Sequence, residues 1–225
     1  MAFDAFGDLP VLTFPEYARN SRDSADTVVM LGNKSGGEVR IERLAMDWIL
    51  ARISNNELVE YVGVEVQSLD ITGNYRDAWY AYQQLSQGIT VPVIPKSEHG
   101  LNWANVHKRL IPQIIRKGSI YSNSPYVRKG LYFIVPDAVF KVFEEVLGDL
   151  APTNQVDSKT LSIFTYELGP LIGDGEHRAL KKMRVIRVGL DEFSQKFIAG
   201  RNLPHSSALD RAVLNALGLY SPFVR

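Results

Sequence analysis

The chain contains no cysteine among its 225 residues. Disulfides and thiolate-held metals are thereby excluded, which fits a reducing compartment such as the cytoplasm. No apolar run approaches the roughly 18 residues that a membrane helix needs. The opening MAFDAFGDLPVL lacks the basic stretch followed by an apolar one that marks a secretory signal. Net charge is missing too: 25 Lys and Arg balance 25 Asp and Glu, so a general basic coat for nucleic acid is excluded and positive charge for a polyanion must be concentrated locally. His99, His107, His177 and His205 form no i, i+4 pair and no HExxH. No serine stands in a G-x-S-x-G elbow, and GNKSGG at 32–37 has no Walker spacing. Histidine metalloenzyme, serine hydrolase and P-loop classes therefore have no support. Repeats and low-complexity segments are absent.

What is present is enough apolar sequence for a sizeable core, 45% of the chain, and a length that suits one domain with at most a small appendage. The pattern divides into 1–150, a core with an irregular N-terminal lead-in, and 151–225, an α+β region that completes the core or serves recognition or dimerisation. DLAPTNQVD at 149–157 is the linker candidate between them.

Most of the chemistry is concentrated in residues 40–68. VRIERLAMDWILARIS and LVEYVGVEVQS are predicted strands, joined at Ser54-Asn55-Asn56, where Asn tolerates the left-handed conformation of short hairpin loops. A ladder centred on Asn56 sets Asp47 opposite Glu65. On the first strand both faces are apolar, as in a covered central strand, and Asp47 is the one acid in its middle. Gln67 shares the face of Glu65 because side chains alternate. Cross-strand partners lie about 5 Å apart. Two carboxylates at that spacing repel by roughly 3 kcal/mol at an effective dielectric near 20. A divalent cation converts that repulsion into coordination, and Mg²⁺ takes one or two carboxylates while keeping several waters. A one-residue slip would instead turn Asp47 to the other face.

Further along, Glu16–Ser21 is a predicted short helix, Thr27–Leu31 a strand and Tyr75–Leu85 a helix with Trp79, Tyr82 and Leu85 on its core face. Residues 88–100 are expected to be extended. Trp103–Lys117 is helical in pattern with a break or restart at Pro112. Gly130–Pro136 is a strand, followed by a helix 138–147 capped by Asp137 and closed by Gly148. After the linker come strand TLSIFTYEL, loop GPLIGDGEH, strand KKMRVIRVGL and two helices, DEFSQKFIAG and SSALDRAVLNALGL. The most basic stretch surrounds His107, with Lys108, Arg109, Arg116 and Lys117 as candidate phosphate contacts. Arg76, and the loop pair Arg128 and Lys129, are further candidates.

An acid on one hairpin strand followed by Glu-x-Lys on the next is the signature of the PD-(D/E)XK nucleases, and Glu65-Val66-Gln67 resembles the Glu-x-Gln variant of it. GVEVQSLDITGN with the following NYRDAWYAY most resembles restriction endonucleases of the NotI type. HKRLIPQIIRKG and GLYFIVPDAVFKVFEEVLG add to the likeness, which spans roughly residues 25–150. The resemblance implies an α/β, restriction-endonuclease-like fold, a mixed central sheet flanked by helices. It implies a type II site-specific endonuclease acting on double-stranded DNA, working as a homodimer in a prokaryotic cytoplasm. Asp47 and Glu65 would hold Mg²⁺, with Mn²⁺ as a substitute. Gln67 would stand where the family usually has Lys and position the attacking water. A further acid is expected from a preceding segment, Glu16 or Glu38. The cysteine-held iron site of NotI-like enzymes has no counterpart in a chain without cysteine. A repair or structure-directed nuclease of the same fold, and a catalytically silent DNA-binding or interaction module, are the alternatives.

Overall fold

A computed structural model describes residues 1–19, 26–32, 39–41, 44–67, 76–93, 106–170, 178–199 and 206–218. Its centre is a seven-stranded mixed sheet in the order β1 (Val11–Thr13), β2 (Thr27–Gly32), β5 (Trp48–Ser54), β6 (Glu57–Val66), β7 (Leu131–Pro136), β8 (Thr160–Leu168) and β9 (Leu180–Gly189). A separate two-stranded ladder pairs β3 (Arg40–Ile41) with β4 (Leu44–Ala45). In the large sheet β6, β7 and β8 run parallel; β2, β5 and β6 form an antiparallel run, and β9 returns antiparallel to β8. This is the expected α/β architecture with helices on the sheet.

Both faces are covered, which is why the central strands are apolar at nearly every position. On one face Leu131, Phe133, Val135, Leu161 and Ile163 pack against three helices. These are α4 (Ile111–Ser122), α5 (Asp137–Leu147) and α6 (Leu190–Ala199). On the other face Val62, Val64, Tyr132 and Phe164 meet α1 (Ala2–Phe6). The remaining α-helices among the described residues are α2 (Phe14–Arg19), α3 (Arg76–Ser86) and α7 (Ser206–Ala216).

Several expectations need correction. The first hairpin strand does not run unbroken from Val39: β3 and β4 form their own ladder, and β5 starts only at Trp48, leaving Asp47 at a bend just before it. Asp137 is no helix cap. It is the first residue of α5, and its buried carboxylate accepts from Thr165 Oγ1 at 2.7 Å and Arg184 Nε at 2.7 Å, with Lys141 Nζ at 3.0 Å. Charged donors outcompete a single backbone N–H. Leu85 is exposed, whereas a core position was expected. Lys129 donates to the Ala5 carbonyl and lies 5.5 Å over the Phe6 ring, so it fastens α1 and does not reach out as a loop cation. Pro112 sits in the first turn of α4, where its missing N–H is harmless. A wider π turn, Val106–Leu110, precedes it, since Pro112 inside a continuous α-helix would meet the carbonyl four residues back. The GNKSGG turn, most of the extended 88–100 segment and most of GPLIGDGEH lie outside the described residues, as do the side chains of Trp79 and Tyr82.

Candidate active site

The hairpin turn is Asn55-Asn56, both residues left-handed with φ of 51° and 61°. A two-residue turn followed by a regular ladder would set Asp47 opposite Val64, with Glu65 on the other face. A bulge intervenes. Ile53 pairs with Leu58 but Arg52 pairs with Glu60, so Val59 is an extra residue. Beyond it the register holds to Trp48–Val64, and the next step brings Asp47 level with Glu65. The bulge is thus what puts the two carboxylates on one face.

That face looks toward α4. Gly63 has no side chain because a Cβ there would lie 2.6 Å from the Tyr121 ring. The close approach it permits runs α4 antiparallel to β6. Tyr61 contacts Tyr121 edge-on at 5.8 Å and its hydroxyl pairs with Ser124 Oγ at 3.0 Å. One helical turn before Tyr121, Lys117 lies over Glu65, because four helical residues and two strand residues advance by similar distances.

The resulting cleft, about 150 Å³, is lined by Asp47, Glu65, Val66, Gln67, Gln113 and Lys117, with Leu110, Ile114 and Phe133 at its apolar wall. Asp47 Oδ2 accepts from the Val66 N–H at 2.9 Å. Gln67 is held through its own N–H, which donates to the Ile134 carbonyl at 2.9 Å. Glu65 is 7% exposed, and its Oε2 accepts from Lys117 Nζ, itself 7% exposed. Its Oε1 is buried with no hydrogen-bond partner among the described residues. Burial pushes the Glu65 carboxyl up to about 7; the Lys117 ammonium pulls against that rise and the Asp47 charge adds to it.

The structure therefore brings Asp47, Glu65 and Gln67 together, and adds Lys117 and Gln113 beside them. Lys108, Arg109 and Arg116 are exposed. Lys117, expected among them as a candidate phosphate contact, is buried in the cleft. Arg76 is the first residue of α3, with its side chain outside the described residues. Glu16 is not at the cleft: it accepts from Thr13 N and Oγ1, both at 2.7 Å, at the start of α2. Glu38 lies outside the described residues. Among the described residues no group of three or more His, Cys, Asp or Glu gathers, and no helix is long and apolar enough to cross a membrane.

Against known families, the model for restriction endonuclease NotI matches residues 17–176. The chain belongs to the NotI restriction endonuclease family. The match covers the hairpin, both sides of the cleft and strands β2 to β8, so the cleft lies within the family's shared region. Membership makes the chain a restriction endonuclease, with DNA as the molecule it binds. No curated protein matches the chain.

Proposed function

We propose that this NotI-family protein is a type II enzyme of the PD-(D/E)XK superfamily. It hydrolyses phosphodiesters at a short specific site in double-stranded DNA with Mg²⁺, and Glu65-Val66-Gln67 is its Glu-x-Gln motif. Glu65 carries the reading: a buried carboxylate with one oxygen free, facing a cleft shared with a second carboxylate. Folding alone does not favour that arrangement, because an unpartnered buried oxygen costs about 1–3 kcal/mol. The donor set fits the ion. Two carboxylates from Asp47 and Glu65 leave room for the waters that Mg²⁺ retains, and Mn²⁺ takes the same oxygen donors.

When bound, Mg²⁺ supplies an acidified water and stabilises charge on the phosphate. The chain's own groups do the rest. Asp47, clamped to the Val66 N–H, ties the start of β5 to the end of β6 and fixes the spacing of the two carboxylates. Gln67 orients the attacking water through its amide; having no charge, it neither takes nor gives a proton. Lys108, Arg109 and Arg116, with Arg76 at the start of α3, neutralise phosphates flanking the cut and set the duplex in register. A palindromic target calls for a two-fold homodimer. In this reading residues 151–225 serve both the sheet and that recognition, and the enzyme works in a prokaryotic cytoplasm.

The test is digestion of phage and plasmid DNA with Mg²⁺ and with chelator. Discrete fragments that vanish with chelator are expected, and their ends give the site. A smear would replace this reading with a structure-directed or nonspecific nuclease. DNA left intact with every substrate and metal would contradict it.

A further inference from the structure

Lysine is almost never buried unless paired, yet Lys117 is buried in the wall of this cleft. It falls on the apolar stripe of α4, between Ile114 and Tyr121, and not on the exposed side with Arg116. The close packing at Gly63 and Tyr121 sets it over Glu65. Its ammonium takes Oε2 and leaves Oε1 as the unpartnered oxygen. Gln67 and Gln113 are neutral, so Lys117 is the one cation lining the cleft among the described residues.

A charge count gives this a consequence. Two carboxylates against one ammonium leave the cleft one unit negative, and a divalent ion makes it one unit positive. Without Lys117 the loaded cleft would be neutral and would hold no net attraction for a phosphodiester anion. We infer that Lys117 is the fixed cation of the site: it holds Glu65 by Oε2 and leaves Oε1 for the metal, and it makes the metal-loaded site positive enough to draw in the scissile phosphate. This rests on the metal-nuclease reading above. It gives Lys117 a place at the reacting group, apart from the surface cations that grip flanking phosphates.

The experiment compares wild type, Lys117→Met and Lys117→Arg. Mn²⁺ uptake is measured by titration calorimetry. Binding of a short duplex carrying a site that the wild type cuts is measured in chelator and in Ca²⁺ at a level that saturates each protein. In Ca²⁺, wild type and the Arg variant are expected to bind the duplex at least about tenfold more tightly than the Met variant. Lys117→Gln serves in the same comparison if the Met variant does not fold. A Met or Gln variant that binds the duplex in Ca²⁺ as tightly as wild type overturns the role of Lys117, while Mn²⁺ uptake leaves the metal site standing. Wild-type protein that takes up no Mn²⁺ overturns both.

Discussion

Glu65 and Asp137 are both buried carboxylates, and their surroundings carry them in opposite directions. Around Glu65, burial dominates a single ammonium and the group is pushed up to about 7. Around Asp137, burial also raises the pKa, but Thr165, Arg184 and Lys141 together outweigh it and bring the group to about 2. The first keeps one oxygen without a partner among the described residues; the second is satisfied and structural. Asp137 has a folded pKa below its unfolded value of 3.8, so its contribution is complete above that pH and is lost as pH falls through about 2. The shift corresponds to about 2 kcal/mol. Asp137→Asn should therefore lower stability by about 2 kcal/mol near pH 6 and by clearly less near pH 2, which urea unfolding at the two pH values checks. At this scale Asp47, Glu65 and Gln67 were legible, because a carboxylate pair among apolar strand residues is a local signal. Lys117 was legible only in part. It stands in a basic run, and the apolar stripe of Ile111, Ile114, Gly118 and Tyr121 that encloses it was the clue to its burial.

Among the elements, the hairpin decides whether a site exists at all. Its pairing was readable from the Asn turn and the positions of the two acids, but the bulge at Val59 was not, since nothing local singles out Val59 as the residue left unpaired. The break between β4 and β5 was missed for a similar reason: Leu44 to Leu50 is apolar on both faces, as one covered strand would be, and only the tertiary context divides it. The bulge makes a directional prediction. Deleting Val59 should give a regular ladder that still sets Asp47 level with Glu65. Deleting Ile53 should move Asp47 off that face. Mn²⁺ titration should then find uptake in the Val59 deletion and none in the Ile53 deletion, with circular dichroism confirming that both fold.

For the whole molecule, the sheet gathers strands far apart in sequence. β8 and β9, which follow the linker candidate, extend the same sheet as the hairpin. The strands were recognisable individually, but their order depends on non-local pairing that no window of sequence contains. A chain of zero net charge must bind DNA through a concentrated patch, and Lys108, Arg109 and Arg116 are the exposed cations in the stretch that leads into the cleft. Each replaced by Ala should weaken binding about equally for all sequences and reduce the magnitude of the log affinity against log salt slope by about 1. Fluorescence anisotropy across a salt series measures it; an unchanged slope would remove that residue from the phosphate contacts.

Joint holding of the metal by Asp47 and Glu65 is the proposal on which the function rests. The most direct measurement is Mg²⁺-dependent cleavage by wild type and Asp47→Ala, side by side on one DNA, with binding of the same DNA followed in chelator. Wild type is expected to cut, and Asp47→Ala to bind within about threefold of wild type and to yield no fragments. Wild-type fragments reappearing with Asp47→Ala would contradict it.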